Sequence, residues 1–182
     1  MIKNNIQKWI VKNEKCIAII FLILLLISIA VMRYFDNFLI NGVSKYGIVS
    51  FELAKESYGS GEIINSWNSM AKTAAGLSLG FDFFFLLIYA SFLSMMTFII
   101  NKRLFKNFTK NNLSKFIILI PFIAAFFDVL ENIALIKLLL GDLEQKWSTM
   151  AYYFALIKFG LLAFVICYIL IGFLILTFRK EK

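Results

Sequence analysis

Apolar residues along the chain fall into four long runs that are separated by shorter polar stretches. The runs cover roughly residues 16–34, 77–100, 114–140 and 150–178. A helix that crosses a membrane needs ~20 mostly apolar residues, because it rises ~1.5 Å per residue through a hydrocarbon layer ~30 Å thick. The pattern therefore predicts an all-α bundle of four transmembrane helices, forming a single membrane domain over residues 1–182.

The segment between the first two runs, residues 35–76, is too long for a simple connection. Apolar side chains at helical spacing predict a first short helix there, at Ile48, Phe51 and Tyr58. We interpret the whole segment as an external helical loop on the outer membrane surface. Such a loop either roofs the bundle or serves as a functional lid, and the pattern fits both.

A second amphipathic helix is predicted in the same loop after Gly59-Ser60-Gly61. Its apolar positions recur with the period of a helix, at Ile63, Ile64, Trp67, Met70 and Ala71. Ser60 is expected to be the N-cap, since serine oxygens accept hydrogen bonds from the first free backbone N–H groups of a helix. Trp67 is expected at the level of the lipid headgroups, where tryptophan is enriched.

The basic residues predict how the chain is oriented. They are in excess in residues 1–15, 101–115 and 179–182, whereas acidic groups balance or outnumber them in 33–76 and 141–148. Because cytoplasmic loops carry the excess of Lys and Arg, both termini are predicted to be cytoplasmic. The first span is then an uncleaved signal anchor in the cell (cytoplasmic) membrane. The formal charge of +8 is thus a topology signal, and no nucleic-acid partner is expected.

Composition narrows the chemistry. The chain is 61% hydrophobic and contains no histidine, and its two cysteines, Cys16 and Cys167, lie far apart in the sequence. Histidine-ligated haem, structural zinc and histidine-based catalytic triads are therefore excluded. No disulfide framework, metal or cofactor is expected.

Ionisable and polar residues within the predicted spans are the main candidates for function. They come from three of the runs: Asp82, Tyr89, Asp128, Glu131, Asn132 and Lys158. Each charge at the centre of a span costs ~2.5–3.5 kcal/mol on insertion scales, so such groups face one another or water. The rise of a helix places all six in one layer ~8–20 Å from the external ends of their spans.

Three acids and one lysine leave two interpretations of this layer. Lys158 cannot neutralise every carboxyl, so at least one is protonated, bound to a cation or hydrated. The layer would then be a ligand, ion or catalytic site. Alternatively, it is a buried polar network that only holds the helices together.

Several segments together resemble a family of small four-span bacterial membrane proteins to which no activity is assigned. They are SFELA (50–54), Trp67, LGFDFFFLLIY (79–89), PFIAAFFDVLENIAL (121–135) and the region of Lys158. The resemblance covers most of the chain after the first span. It implies the same architecture in a bacterial inner membrane, and it adds Glu52, on the external loop, to the candidate residues.

The favoured function is binding of a lipid-like or small amphiphilic ligand in a carboxylate-rich cavity in the outer half of the bilayer, with acid catalysis on it left open. The expected acids are Asp82, Asp128 and Glu131. The expected ligand-binding residues are Glu52, Trp67, Tyr89, Asn132 and Lys158. One alternative is an ion- or proton-coupled transporter, for which four helices would require a homodimer. The other is a structural or accessory protein whose polar residues only fix helix packing.

Overall fold

The computed structural model describes residue 9, residues 11–105 and residues 112–180 of the chain. Some of the basic residues behind the predicted orientation lie outside this range: Lys3, Lys8, Lys106, Lys110 and Lys182. The side chains of Arg179 and Lys180 lie outside it as well.

Four helices are long and apolar enough to cross a membrane, which confirms the predicted all-α architecture with four spans. They are α1 (Glu14–Asp36), α4 (Ser69–Leu104), α5 (Asn112–Leu139) and α6 (Gln145–Lys180). No strand occurs within the described residues. The helices exceed most of the predicted limits, because polar residues at their ends continue the helical backbone beyond each apolar run.

Helices α4, α5 and α6 form the body of the bundle, and α1 packs mainly against α4. Only Ser28 and Asp36 are buried among the residues of α1, so this helix lies at the periphery. We call the end of the bundle that carries residues 37–68 the loop end. The far end of the body is filled by a mostly aliphatic core whose buried members are Ile100, Ile117, Ile120, Val165 and Ile169.

The predicted loop forms two short helices, but their limits differ from the prediction. Helix α2 spans Ile48–Glu52 and α3 spans Ser57–Ser66. Tyr58 was expected on the first helix with Ile48 and Phe51, yet it lies in α3 and is 76% exposed. Residues 53–56 between the two helices are not helical, and Lys55 among them has a positive φ of 56°.

Ser60 is not an N-cap, because α3 begins at Ser57 with Glu56 in the capping position. Ser60 is the fourth residue of α3, and its buried hydroxyl lies 2.8 Å from the hydroxyl of Ser148 on α6. The predicted second helix is also too long. It ends at Ser66, and the side chain of Asn68 caps α4 by accepting a hydrogen bond from the N–H of Ala71 at 2.9 Å.

Trp67 lies in the break between α3 and α4, and its side chain is buried in the protein. It is 3% exposed. Its indole N–H donates to the carbonyl oxygen of Leu39 at 2.9 Å, and its ring packs edge-on against Phe51 at 5.4 Å between centroids. The end of α3 turns the ring inward, so Trp67 joins the core that fixes the loop to the bundle.

Asp36 ties the end of α1 to the start of α2. Its Oδ1 accepts a hydrogen bond from the N–H of Ile48 at 2.7 Å. Gly47, just before, has a φ of 57°, and a Cβ at this position would lie 1.9 Å from the same oxygen. This close approach holds α2 against the bundle, and Glu52, its last residue, is buried.

Candidate functional site

Seven side chains from four helices form one buried group at the loop end of the bundle, which we call the polar cluster. Its members are Glu52 from α2, Asp82 and Tyr89 from α4, Asp128, Glu131 and Asn132 from α5, and Lys158 from α6. All are buried, with exposures between 0% and 9%. The spacing explains the convergence. Asp82 and Tyr89 are seven residues apart on one face of α4, and the three α5 residues are spaced i, i+3, i+4.

Lys158 lies at the centre of the cluster and faces three carboxyl groups. Its Nζ donates a hydrogen bond to Asp128 Oδ1 at 3.1 Å. It forms an ion pair with Glu131 Oε2 at 2.8 Å, and Glu52 Oε2 lies 3.9 Å away. One ammonium thus serves carboxyls from two other helices, and it links α2, α5 and α6.

Uncharged donors supply two further contacts. The hydroxyl of Tyr89 donates to Asp128 Oδ2 at 2.8 Å, so both oxygens of that carboxylate are engaged. The amide of Asn132 donates to Asp82 Oδ2 at 2.6 Å. Asp82 Oδ1 makes no hydrogen bond with any described residue.

Three oxygens of the cluster are buried without a hydrogen-bond partner among the described residues: Glu52 Oε2, Glu131 Oε1 and Glu131 Oε2. Two of them still face the ammonium of Lys158, Glu131 Oε2 at 2.8 Å and Glu52 Oε2 at 3.9 Å. Burial raises the pKa of Glu52 above its usual value, Lys158 opposes this rise, and the carboxylates of Asp128 and Asp36 add to it. Glu52 thus keeps its proton to a higher pH than an exposed glutamate does.

A groove of about 300 Å³ opens beside the cluster. At its polar end it is lined by Glu52, Asp82, Asp128 and Lys158. At its other end it is lined by aliphatic side chains: Leu25 of α1, Leu93 of α4, and Leu162 and Ile166 of α6. Since Leu25 of α1 and Leu162 of α6 both line the groove, one side of it lies between these two helices.

A second hollow of about 270 Å³ lies between the end of α1 and α2. It shares Met32, Val49 and Phe85 with the groove, so the two spaces adjoin. Its polar side chains are Arg33 and Asp36, which form an ion pair at 3.6 Å.

The prediction that the polar residues of the spans face one another is confirmed by these contacts. All six are brought together, and Glu52 joins them. Trp67 is not part of this group, because it packs in the core around Leu39 and is absent from the groove lining. Within the described residues, no group of three or more His, Cys, Asp or Glu side chains is arranged to hold a metal ion. The catalytic and binding roles assigned to the seven residues stay predictions.

Two features were not found from the sequence. The first is the contribution of α1, which looked like a plain anchor but supplies Leu25 and Met32 to the groove. The second is a smaller polar set at the far end of the bundle, in which the Tyr168 hydroxyl donates to the fully buried Asn101. The one available signal for it was an asparagine near the end of a long apolar helix.

The fold and the cluster define a helical, multi-pass membrane protein with a buried group of carboxyls around one lysine. Comparisons of the chain with protein-family models, with curated proteins and with solved structures find no match. The resemblance to small four-span bacterial proteins therefore stays a prediction.

Proposed function

We propose that the chain binds a lipid-like or small amphiphilic molecule in the groove between α1 and α6. The observation that carries this proposal is the lining of the groove, which changes from charged at one end to aliphatic at the other. Its volume of about 300 Å³ is at the lower end of the ~300–1,000 Å³ typical of ligand pockets. A polar head beside the cluster and an apolar chain along Leu93 and Leu162 would match both ends.

We further propose that the loop end faces the outside of the cell membrane and that both termini are cytoplasmic. The excess of Lys and Arg in residues 1–15, 101–115 and 179–182 supports this orientation. The polar cluster then lies in the outer half of the bilayer. Its burial among four helices suits a position within the bilayer, because charged groups are costly in direct contact with lipid.

The packing of the far end favours ligand binding over transport through the bundle. Buried aliphatic side chains of α4, α5 and α6 pack together at that end beside the Asn101–Tyr168 pair, and they are Ile100, Ile117, Ile120, Val165 and Ile169. A conducting path through the bundle would need a space for the ion between these packed side chains. A transporter formed by a homodimer would have to place its path between the two copies.

The test of ligand binding is to fill the groove. Leu162→Trp places a larger side chain in the groove lining, whereas Leu156→Trp, on the same helix, changes a residue that is 45% exposed and outside the lining. Both variants and the parent are purified in a non-ionic detergent, and their bound amphiphiles are extracted and quantified by mass spectrometry. We expect Leu162→Trp to lose a species that Leu156→Trp retains. An identical amphiphile profile in a folded Leu162→Trp protein would contradict the proposal.

Amide substitutions distinguish binding from a purely structural role. Asp82→Asn removes the charge of a carboxyl at the polar end of the groove while nearly keeping its shape. If the cluster recognises the ligand, the amount of bound amphiphile falls while the protein remains folded. If the cluster only fixes helix packing, stability changes and the amphiphile profile does not.

A second candidate function is proton transfer to the bound molecule, and Glu52 is the residue that favours it. Its carboxyl lines the groove, and burial raises its pKa, as a general acid requires. In the simplest reaction, isomerisation of a double bond, the carboxyl O–H bond breaks and its proton joins the π electrons of a carbon–carbon double bond to form a C–H bond. The carbocation that results loses a proton from the neighbouring carbon, whose C–H electrons form the new double bond, and the proton returns to the carboxylate, where it exchanges with solvent. Incubation in D₂O should then place deuterium in the amphiphile, and Glu52→Gln should prevent this. Absence of deuterium with the parent protein would rule out the reaction.

A further inference from the structure

We infer that the groove selects single-chain amphiphiles with a positively charged head, such as an alkylammonium. This inference rests on the proposed function and names the class of ligand for the same site. It depends on the balance of charge at the polar end, on an acceptor atom left unpaired there, and on the shape of the groove.

The charge balance disfavours an anionic head. Four carboxyl groups belong to the cluster, from Glu52, Asp82, Asp128 and Glu131, against the single ammonium of Lys158. Burial favours the neutral form of a carboxyl, so the number of carboxyl groups is not the number of negative charges. The ammonium of Lys158 already lies against the carboxyls of Asp128, Glu131 and Glu52, so it is not available to pair with an anionic ligand. A carboxylate or phosphate entering the groove would find no unpaired cation among the described residues that line it, and the carboxylate of Asp128 would repel it.

An unpaired acceptor is available at the same place. Asp82 Oδ1 has no hydrogen bond with the described residues. Asp82 lines the groove, and it is 92% buried, since its exposure is 8%. An ammonium carries only donors, so it can serve acceptors that no group of the chain satisfies. A buried acceptor left unsatisfied costs ~1–3 kcal/mol, so a head group that donates a hydrogen bond to it removes that cost on binding.

Aromatic rings add a second preference for a cation. Phe85, Tyr89 and Phe159 all line the groove near its polar end. The face of an aromatic ring attracts a cation within ~6 Å of its centre, by ~0.5–2 kcal/mol depending on solvation. One such contact already exists, because Lys158 Nζ lies 4.7 Å from the centre of the Phe159 ring.

The dimensions of the groove suit one chain that enters from the side. From Asp82 to Leu93 along α4, and from Lys158 to Ile166 along α6, the lining extends ~12–16 Å at the rise of a helix. Ile166 is 46% exposed and Phe159 is 39% exposed, although both line the groove. The space is therefore open on the flank of the bundle, toward the acyl chains of a surrounding bilayer. A medium-length chain can pass between α1 and α6 while its head moves to the cluster.

The test compares molecules that share one chain and differ in the charge of the head. Dodecylammonium, dodecanol and dodecanoate are added to the full chain in nanodiscs of zwitterionic lipid, and bound molecules are counted by native mass spectrometry over a concentration series. We expect dodecylammonium to bind about tenfold more tightly than dodecanoate, or better, with dodecanol between them. Asp82→Asn should narrow this ratio, and Leu162→Trp should weaken binding of all three.

The outcomes separate this inference from the proposed function. Equal binding of the three molecules, or tighter binding of dodecanoate, overturns the charge preference and leaves amphiphile binding in place. Binding that is the same in the parent and in Leu162→Trp shows that the molecules sit in the surrounding lipid, and it overturns both. Loss of the cation preference in Asp82→Asn, with dodecanol binding unchanged, supports the assignment of the head to the polar end.

Discussion

Lys158 is the residue on which the polar cluster depends. Its ammonium is the only cation within reach of the Asp128 and Glu131 carboxyls among the described residues, at 3.1 and 2.8 Å. Burying charges costs several kcal/mol each, and the attraction between them offsets this cost only while the set is complete. The complete cluster therefore adds little to the net stability of the protein, but removing one of its charged side chains is strongly destabilising.

Replacing Lys158 by methionine should destabilise the protein strongly. The substitution nearly keeps the length of the side chain but leaves the Asp128 and Glu131 carboxyls buried without a cation. Breaking a buried ion pair from one side typically costs ~3–5 kcal/mol. We expect the unfolding midpoint in mild detergent to fall sharply, and Glu131→Gln in the same chain to restore part of it.

Lys146 provides the matched control for this substitution. It also pairs with a carboxylate, Glu144, at 2.7 Å, but both side chains are more than half exposed. Exposed pairs contribute little, so Lys146→Met should leave the midpoint nearly unchanged. Equal effects of the two substitutions would show that the cluster is not a set of mutually dependent charges.

Glu52 should make stability depend on pH. Its pKa in the folded protein is raised above 4.5, so above pH 4.5 the folded state holds a proton that the unfolded state releases. The contribution of Glu52 to the free energy of unfolding therefore falls as the pH rises above 4.5. The groups that face it are Lys158, Asp128, Asp36 and Glu131. Glu52→Gln should reduce the loss of unfolding free energy between pH 4.5 and pH 8, measured by denaturation in detergent. Equal slopes for the two proteins would contradict the raised pKa.

Most of the cluster could be predicted from the sequence because helices have a fixed rise and period. Once the spans are known, those two quantities place Asp82, Asp128 and Lys158 at similar depth without any tertiary information. Glu52 differs, since it lies in a loop whose path is set by contacts distant in sequence. Its entry into the bundle depends on the Asp36–Ile48 hydrogen bond, which the periodicity of the chain does not reveal.

At the scale of elements, the junction between α1 and α2 decides where Glu52 lies. The backbone at Gly47 has a positive φ, and the carboxyl of Asp36 occupies the space that a Cβ would fill. Both constraints are local, yet they determine the direction in which α2 leaves the end of α1. The loop is thus attached to the bundle at its beginning by Asp36 and at its end by Trp67.

Gly47→Ala should therefore destabilise the loop and loosen the cluster. The new Cβ would lie 1.9 Å from Asp36 Oδ1, and alanine disfavours the positive φ. We expect a loss of ~1–3 kcal/mol in unfolding free energy and faster hydrogen exchange at the Ile48 amide. Gly42→Ala is the control, because a Cβ there meets nothing within 4 Å. Similar losses at both glycines would refute the importance of the junction.

The limits of α3 show where prediction from periodicity ends. Ile63, Ile64, Trp67, Met70 and Ala71 follow a helical pattern, yet they belong to two helices and the break between them. The break has its own chemical cause, since Asn68 caps α4 and the Trp67 indole binds the carbonyl of Leu39. Side chains that bond to distant backbone groups interrupt a helix without changing its apolar period.

For the whole molecule, the number of spans was predictable and the position of α1 was not. Hydropathy alone identifies α1, because its composition is almost entirely apolar. Because nearly every residue of α1 is apolar, the sequence does not indicate which face of the helix packs against the bundle. In the structure only Ser28 and Asp36 of this helix are buried. The groove is lined by residues of α1, α4 and α6 among others, so it is a property of the assembled bundle.

The orientation of the molecule yields a prediction for single-cysteine labelling in intact cells. In a chain with Cys16 and Cys167 replaced by alanine, Glu144→Cys marks the loop end and Arg103→Cys marks the opposite end, and both positions are exposed. We expect a membrane-impermeant maleimide to label Glu144→Cys in intact cells and Arg103→Cys only after permeabilisation, because the basic segments remain in the cytoplasm. The cysteine-free chain controls for background labelling. The reverse pattern would place the polar cluster in the cytoplasmic half of the bilayer, so its amphiphile would come from the inner leaflet.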